Sequence, residues 1–355
     1  MGDVVGKLNI IELRGNARAR GLQHGQLLKG AIQTAVDFYG DFFARYLKLD
    51  RPEMRRRAAR FIEPTARLDA QLMSEYEGIA EGSCQTLEDI FALSARYEIT
   101  FEDVALGDCS NLFVSAAGAR DKHILLGQSW DWRPEVMDFR AVITSRCDDE
   151  PDHIMVTECG QPGKYGFSDR GIGVVSAGLR CEEKVGTGEQ LFVVLGRQVL
   201  KQTSCQAAVA AVEASPPMAT VNMIVADING SAADIEFTPG GIFRRDLAAL
   251  NAYWHTNHCL IADEPVEFAN SQVRAERWTE LMSTAGPISA DMLQSWLADR
   301  ADGDHSICQL PNPTEAEAAT YLQTLCSIVM DLNAATMWVS DGPSCNSPYN
   351  SFRLE

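Results

Sequence analysis

The chain lacks the features that would suit it to nucleic acid, to a membrane or to a disulfide framework. Its 31 Lys and Arg residues are outnumbered by 49 Asp and Glu, and the formal net charge is -18. No basic tract is longer than Arg55-Arg56-Arg57. Phosphate binding needs clustered cations, so a nucleic-acid partner is disfavoured. The acidic surface favours solubility and says little about a substrate. No stretch approaches the roughly 20 apolar residues of a membrane span. Met1-Gly2-Asp3-Val4-Val5-Gly6-Lys7 has neither the basic start nor the apolar run of a signal peptide, and Ser351-Phe352-Arg353-Leu354-Glu355 is not a peroxisomal Ser-Lys-Leu end. A soluble, cytoplasmic protein is expected. The ten cysteines contain no CxxC, and no two are closer than Cys147 and Cys159. That scatter reads as reduced thiols rather than bridges or a zinc site. Internal repeats, low-complexity tracts and Pro/Gly/Ser-rich linkers are absent as well.

What is present is a chain of 355 residues, 46% of them hydrophobic, enough for one large layered domain. The first hundred residues are patterned as helix. Leu28, Ile32, Ala35, Tyr39, Phe42 and Tyr46 recur at three- and four-residue steps, Pro52 and Pro64 bracket a second helix, and Thr86 with Asp89 reads as a capping box for a third. This portion carries no obvious chemistry. From Cys109 the texture changes to short β-rich runs, at 109–116, 123–129, 141–145, 153–157, 173–177, 221–227, 233–237, 252–257 and 336–339, with helices at 189–214 and 269–299. Asn229-Gly230 is a hairpin-turn signal between two of them. The glycine-rich stretch from Gly160 to Gly173 lacks the strand-then-helix context of a phosphate loop and reads as turns. Antiparallel strands with helices in blocks predict an α+β fold.

Cys109 draws the chemistry. It opens the strand Cys109-Ser110-Asn111-Leu112-Phe113-Val114, just ahead of Gln128-Ser129-Trp130-Asp131-Trp132. A cysteine at a strand start is ordinarily an inert buried hydrophobe. If it were an N-terminal residue, its own α-amine, with a pKa of about 7.7 to 8.0 against about 8.5 for the thiol, would be a nearly matched base. His255, Asn257, His258 and Cys259 offer other constellations. One is a papain-like thiol activated by His255 or His258, which needs no self-cleavage. Another is a metal site through His255, His258 and Cys259, but a structural site wants a complete ligand set at characteristic spacing, so no metal is expected. Trp130 and Trp132 share the strand face opposite Asp131, as core packing or as walls of a pocket.

Cys109-Ser110, Gly127-Gln128-Ser129-Trp130-Asp131-Trp132 and His255-Thr256-Asn257-His258-Cys259-Leu260 together resemble the cysteine N-terminal-nucleophile family typified by acyl-CoA:6-aminopenicillanic acid acyltransferase, peptidase C45. Arg20-Gly21 with His24-Gly25 and Ser306-Ile307-Cys308 extend the resemblance over residues 15 to 310. It implies a four-layer αββα sandwich made as an inactive precursor. Cleavage between Asp108 and Cys109 would give a helical fragment 1–108 and a catalytic fragment 109–355, paired as a heterodimer within one domain. It also implies Cys109 as nucleophile, Asn257 as oxyanion donor and Asp131 as the group that positions the new amine or assists cleavage. Trp130, Trp132, His24, His255 and Gln309 become candidates for the substrate pocket. A small-molecule amide or acyl thioester is the implied substrate, with no cofactor and acyl-CoA as a candidate cosubstrate. Two positions depart from the family. Asp108 precedes the nucleophile where Gly is usual, Gly107 lying one residue further back, and Gln309 replaces an Arg, losing bidentate charged pairing. A non-catalytic binding protein that kept the fold is the alternative from another class.

Overall fold

The computed structural model describes residues 8–101, 108–181, 186, 188–264, 268–318 and 321–355, and in it two β-sheets lie face to face between layers of helix. The larger sheet has eight strands in the order β1 (Asn9–Gly15), β4 (Arg140–Cys147), β5 (His153–Glu158), β6 (Tyr165–Ser168), β7 (Ile172–Gly178), β8 (Val221–Asp227), β9 (Ala232–Thr238) and β10 (Gly241–Asp246). The smaller has six, in the order β11 (Ala252–His255), β2 (Ser110–Val114), β3 (Leu125–Trp132), β12 (Gln323–Asp331), β13 (Thr336–Ser340) and β14 (Tyr349–Arg353). Only β1 with β4 is parallel among these pairings.

The sheets meet where β2 and β3 pack on β7 and β8. Side-chain parity explains the sandwich. Along β2, Phe113 joins the core between the sheets, while Leu112 and Val114 join a second core on the outer face with Trp278, Leu293, Leu297 and Val329. Polar links also cross the interface: Gln128 Nε2 donates to Ser176 O at 2.7 Å and Asn111 Nδ2 to Asn222 Oδ1 at 2.8 Å. Helices α8 (Phe192–Leu200) and α9 (Cys205–Glu213) cover the eight-stranded sheet, and α10 (Ala269–Ser283) and α11 (Ala290–Leu297) cover the six-stranded one. The layering is αββα, as the resemblance implies. No helix among the described residues is long and apolar enough to cross a membrane.

The N-terminal portion supplies α1 (Ala17–Leu27), α2 (Lys29–Phe42), α3 (Arg51–Ala59), α4 (Ile62–Leu68), α5 (Ala70–Ser83), α6 (Leu87–Ser94) and α7 (Arg96–Phe101). It is not wholly helical, because β1 adds an edge strand to the large sheet. Pro64 sits in the first turn of α4 rather than closing a helix, where its missing N–H is harmless. The Thr86 hydroxyl caps α6, accepting from Asp89 N at 3.2 Å. Each long helical segment expected further on is two helices. β6 and β12 lie where strands were not expected. β12 is buried along its whole length, so it has no polar alternation to betray it. In β6 a Cβ on Gly166 would stand 2.1 Å from Ile154 O, so the glycine that suggested a turn is what admits the neighbouring strand. Gly107 lies outside the described residues.

Glycine also sets the closest helix crossing. A Cβ on Gly21 would stand 2.1 Å from Glu75 O and one on Gly25 2.5 Å from Ile79 O, while Gly78 and Gly82 of α5 face the α1 backbone equally closely. Gly21→Ala is therefore expected to lower stability in chemical denaturation by about 1–3 kcal/mol, the usual cost of overpacking. Gly30→Ala, which meets nothing within 4 Å, should be neutral or mildly stabilising. Equal effects of the two would show that the crossing does not depend on backbone contact.

Candidate active site

Cys109 precedes β2 and shares the inward parity of Asn111 and Phe113, so its side chain enters the space between the sheets. It faces a small cavity of about 20 Å³, whose lining includes Trp130, Trp132, Tyr97, Tyr165, Lys164 and Arg96. The thiol is buried, and the carbonyl of Asp131 lies 3.9 Å from its sulfur. Burial first, and the Asp131 charge second, push its pKa up to about 12. Cys109 is therefore a thiol, not a thiolate.

Its carbonyl is held from the other side of the sheet. Arg274 of α10 donates through Nη1 to Cys109 O at 2.7 Å and to Ser110 Oγ at 3.1 Å, through Nη2 to Asn257 Oδ1 at 2.7 Å, and through Nε to Asn270 Oδ1 at 2.7 Å. It is fully buried. Burial pulls its pKa down, opposed by Asp108, Asp131 and Cys109. Ser271, one turn earlier on α10, accepts from Asn257 N at 2.7 Å. The Asn257 amide donates to Gly178 O at 2.8 Å, which engages one of its two N–H groups and leaves the other.

Two carboxyls stand beside this guanidinium. Asp108 Oδ1 is 3.8 Å from Arg274 Nη2, and burial raises the Asp108 pKa against Arg274, Arg180, His305 and Gln309. Neither carboxylate oxygen of Asp131 meets a donor in hydrogen-bond geometry, although Thr324 lies beside it. Burial drives the Asp131 pKa well above the usual carboxylate range. Such a group is a waiting acceptor for a cation.

The remaining expected residues are divided between the cavity and other places. Trp130 and Trp132 line the cavity, while His24, His255 and Gln309 are not among its lining residues. His24 accepts from Gly160 N at 3.0 Å, and burial with Arg197 nearby lowers its pKa to about 3. Gln309 N donates to Thr324 Oγ1 at 2.8 Å, which sets its side chain near Asp108 rather than in the cavity. His255 bonds Thr256 O at 2.7 Å through Nδ1 and Glu236 Oε1 at 2.9 Å through Nε2. His258 Nδ1 lies 2.8 Å from Ser271 Oγ. Neither imidazole is bonded to the Cys109 thiol. His255, Asp234 and Glu236 are clustered closely enough for an ion. Their polar atoms are nevertheless spent on one another, on Tyr253 and on the backbone N–H groups of Leu260, Ile261 and Ala262.

Arg274, Lys164 and Arg96 were not singled out in the sequence. For Arg274 a signal existed: Ser271, Arg274, Ala275 and Trp278 form the buried stripe of α10, and an arginine in a core stripe must have partners.

The αββα sandwich brings Cys109, Asp131, Asn257 and Arg274 together, a grouping suited to acyl transfer or amide-bond hydrolysis. The chain belongs to the acyl-coenzyme A:6-aminopenicillanic acid acyl-transferase family, whose pattern matches residues 118–343, a span that includes Asp131 and Asn257 and begins after Cys109. A 40 kDa acyl-coenzyme A:6-aminopenicillanic-acid-acyltransferase form from Emericella nidulans is 24% identical over 327 residues, which is 90% of this chain and 89% of that protein. Among solved structures, penicillin V acylase from Agrobacterium tumefaciens is 8% identical with a TM-score of 0.41, covering 69% of this chain and 86% of that one. A Caenorhabditis elegans N-acylethanolamine-hydrolyzing acid amidase ortholog is 13% identical with a TM-score of 0.47, covering 70% and 100%.

The His255 cluster ties the strand leading to Asn257 to the large sheet, and its pH dependence has a definite sign. Burial lowers the His255 pKa, but Asp234 and Glu236 override it and the net shift is upward. Burial likewise opposes Glu236, whose net shift, through His255 and backbone donors, is downward. The pair contributes between those two pKa values. The His255 part is complete below its unfolded value of about 6.5 and is lost as pH rises through the raised folded value. His255→Ala is expected to cost about 3–5 kcal/mol in that window, as when one partner of a buried pair is removed. The difference from wild type in denaturation should shrink at alkaline pH, and a difference independent of pH would contradict an ionic role.

Proposed function

We propose that the chain is a self-processing cysteine N-terminal-nucleophile acyltransferase or amide hydrolase. The observation that carries this reading is the junction at Cys109, where one residue places its thiol in an aromatic cavity while its carbonyl shares the Arg274 fork with Asn257.

In maturation the Cys109 sulfur bonds to the Asp108 carbonyl carbon. The C–N bond breaks, the departing amine takes the thiol proton, and water then hydrolyses the thioester. The liberated α-amine would stand beside the thiol, with a pKa suited to a base near neutrality. As an ammonium it would supply the partner the Asp131 carboxylate lacks. Against a substrate, Cys109 attacks an amide or thioester carbonyl and the amine returns its proton to the leaving group. Asn257, with its second N–H, and a backbone N–H stabilise the oxyanion, one such donor contributing roughly 2.7–4 kcal/mol. Water or an amine resolves the acyl-enzyme. Acyl-CoA as donor fits this chemistry, and no cofactor is required.

The fragments 1–108 and 109–355 would stay together as a heterodimer, since β1 pairs with β4 across all seven of its residues and Arg20 of α1 bonds Asp149 and Glu150. Ten free thiols suit a reducing, cytoplasmic setting.

Denaturing mass spectrometry tests the proposal. Wild type is expected to split before Cys109 and Cys109→Ala to stay whole and inactive on amides and acyl thioesters; acyl turnover by Cys109→Ala would sink it. Arg274→Lys keeps the charge but not the planar fork that reaches both Cys109 O and Asn257 Oδ1. It should slow processing and turnover by about a hundredfold, the scale of a lost positioning contact, in a protein that retains its native circular dichroism. Unchanged rates would remove Arg274 from the machinery.

A further inference from the structure

Cys308 and Cys345 meet outside the Cys109 cavity, and the proposed acyl chemistry uses neither. Cys308 Sγ lies 3.1 Å from Cys345 Sγ and donates to it, and Cys345 Sγ donates to Asn346 Oδ1 at 2.9 Å. Backbone contacts on both sides hold this approach in place. Cys308 N donates to Asp299 O at 3.0 Å and Cys308 O accepts from Arg300 Nη1 at 2.9 Å, both residues standing just beyond the end of α11. Ser344, next to Cys345 in the loop from β13 to β14, donates through its hydroxyl to Leu297 O at 2.6 Å, and the same hydroxyl accepts from Ser327 Oγ of β12 at 2.9 Å. The C-terminal end of one helix therefore positions both cysteines. Cys308 is buried, whereas Cys345 is only partly so, and a small solute reaches the pair through Cys345.

Sulfur reacts as the thiolate, and the surroundings separate this pair from the other close one. The Cys308 hydrogen bond lowers the Cys345 pKa, against burial and with help from the Arg300 charge. Cys181 and Cys259 lie 3.9 Å apart, and there Cys181, burial and the carboxylates of Glu236 and Glu264 push the Cys259 pKa up. We infer that Cys308 and Cys345 form a redox modification site, an intramolecular disulfide that a hydroperoxide closes and a dithiol reopens. The Cys345 thiolate sulfur bonds to one oxygen of hydrogen peroxide, the O–O bond breaks, and the departing hydroxide takes up the released proton as water. The Cys308 sulfur then bonds to the Cys345 sulfur of the sulfenic acid, and the S–O bond breaks. Its hydroxide leaves with the Cys308 proton as a second water. Two thiols lose two electrons and one peroxide becomes two waters. The sulfurs close from 3.1 Å to about 2.05 Å, a shift of about 1 Å. The bond ties the β13–β14 loop to the segment flanking Asp131. Gln309, next to Cys308, donates to Thr324 Oγ1 at 2.8 Å and accepts from Thr324 N at 3.0 Å, and Thr324 is the sheet partner of Asp131.

The test is a thiol map of the folded, fully reduced wild type. Hydrogen peroxide is raised until the exposed Cys84 is oxidised, the remaining thiols are alkylated in denaturant, and the protein is digested without reductant for mass spectrometry. A Cys308–Cys345 linked peptide should appear first, roughly tenfold faster than a Cys181–Cys259 link or loss of the Cys109 thiol, as expected of the pair with the greater thiolate fraction. Dithiothreitol should return both thiols. In Cys308→Ser, dimedone should trap a sulfenic acid at Cys345. The inference is overturned if Cys84 is oxidised with no Cys308–Cys345 link formed, if Cys181 and Cys259 link first, or if the link forms as fast in denaturant as in the folded chain. Should Cys308→Ser fail to fold, the wild-type map still decides. None of these readouts needs acyl turnover, so they stand apart from the fate of the Cys109 reading.

Discussion

The geometry around Cys109 depends on the Arg274 guanidinium. An arginine taken wholly out of water must bring its hydrogen bonds with it, and each of its three nitrogens is engaged. The planar fork makes one rigid body of three pieces of chain: the start of β2, the segment after β11 and the first turns of α10. Asn257 sits on an irregular segment, where the guanidinium joins Ser271 and Gly178 O in orienting it. Arg274 is in turn only as fixed as its helix, and α10 is anchored through Trp278 in the outer core with Leu112, Leu293, Ile307 and Val329. The apolar packing outside the small sheet therefore reaches the site through a charge.

The same device recurs through the core. Arg20 and Arg197 share Glu75 and Glu150, Arg96 and Lys164 share Glu158, and His255 lies between Asp234 and Glu236. The clusters join separate elements: α1, α5 and α8 to the loop between β4 and β5, α7 to β5, and β11 of the small sheet to β9 of the large one. A buried ion pair adds little net stability over an apolar packing of the same shape, yet losing one partner is costly, so such clusters constrain geometry more than they raise stability. Arg20, Gly21, His24 and Gly25 belong to this framework. They set the α1–α5 crossing and the charge cluster beneath it, well away from the cavity lining.

Turns with a chemical signature, and strands with a β-rich run, were legible in the sequence even where both faces are covered, as in β2, β7 and β8. β2 alternates between two cores, and Asn229-Gly230 turns the chain with Gly230 at φ +96°. β12 was not legible, because its apolar run has the same texture as that of a buried helix. β1 was hidden for another reason: its partner lies more than a hundred residues away, and local pattern carries no trace of that pairing. At the site, Cys109, Asp131, Trp130, Trp132 and Asn257 were legible through local words of sequence. Arg274, Arg96 and Lys164 act through tertiary contacts with residues far along the chain, and each stands in a segment whose local pattern reads only as helix or turn.

Burial above all holds the Cys109 thiol protonated. The upward shift of its pKa, to about 12, is opposed by Lys164 across the cavity and by Arg274, whose fork is aimed at the backbone carbonyl of the same residue. Bringing such a thiol down to the ordinary value of about 8.5 corresponds to roughly 5 kcal/mol, at 1.36 kcal/mol per unit. That is the scale of a buried charge pair, about 3–5 kcal/mol. One new ammonium on Cys109, close to both the thiol and the unpartnered Asp131 carboxylate, is a charge of the right sign and of that magnitude. Under the proposed self-cleavage, breaking a single peptide bond would then supply the base and open the strand start to a substrate, with no larger rearrangement of the two sheets required.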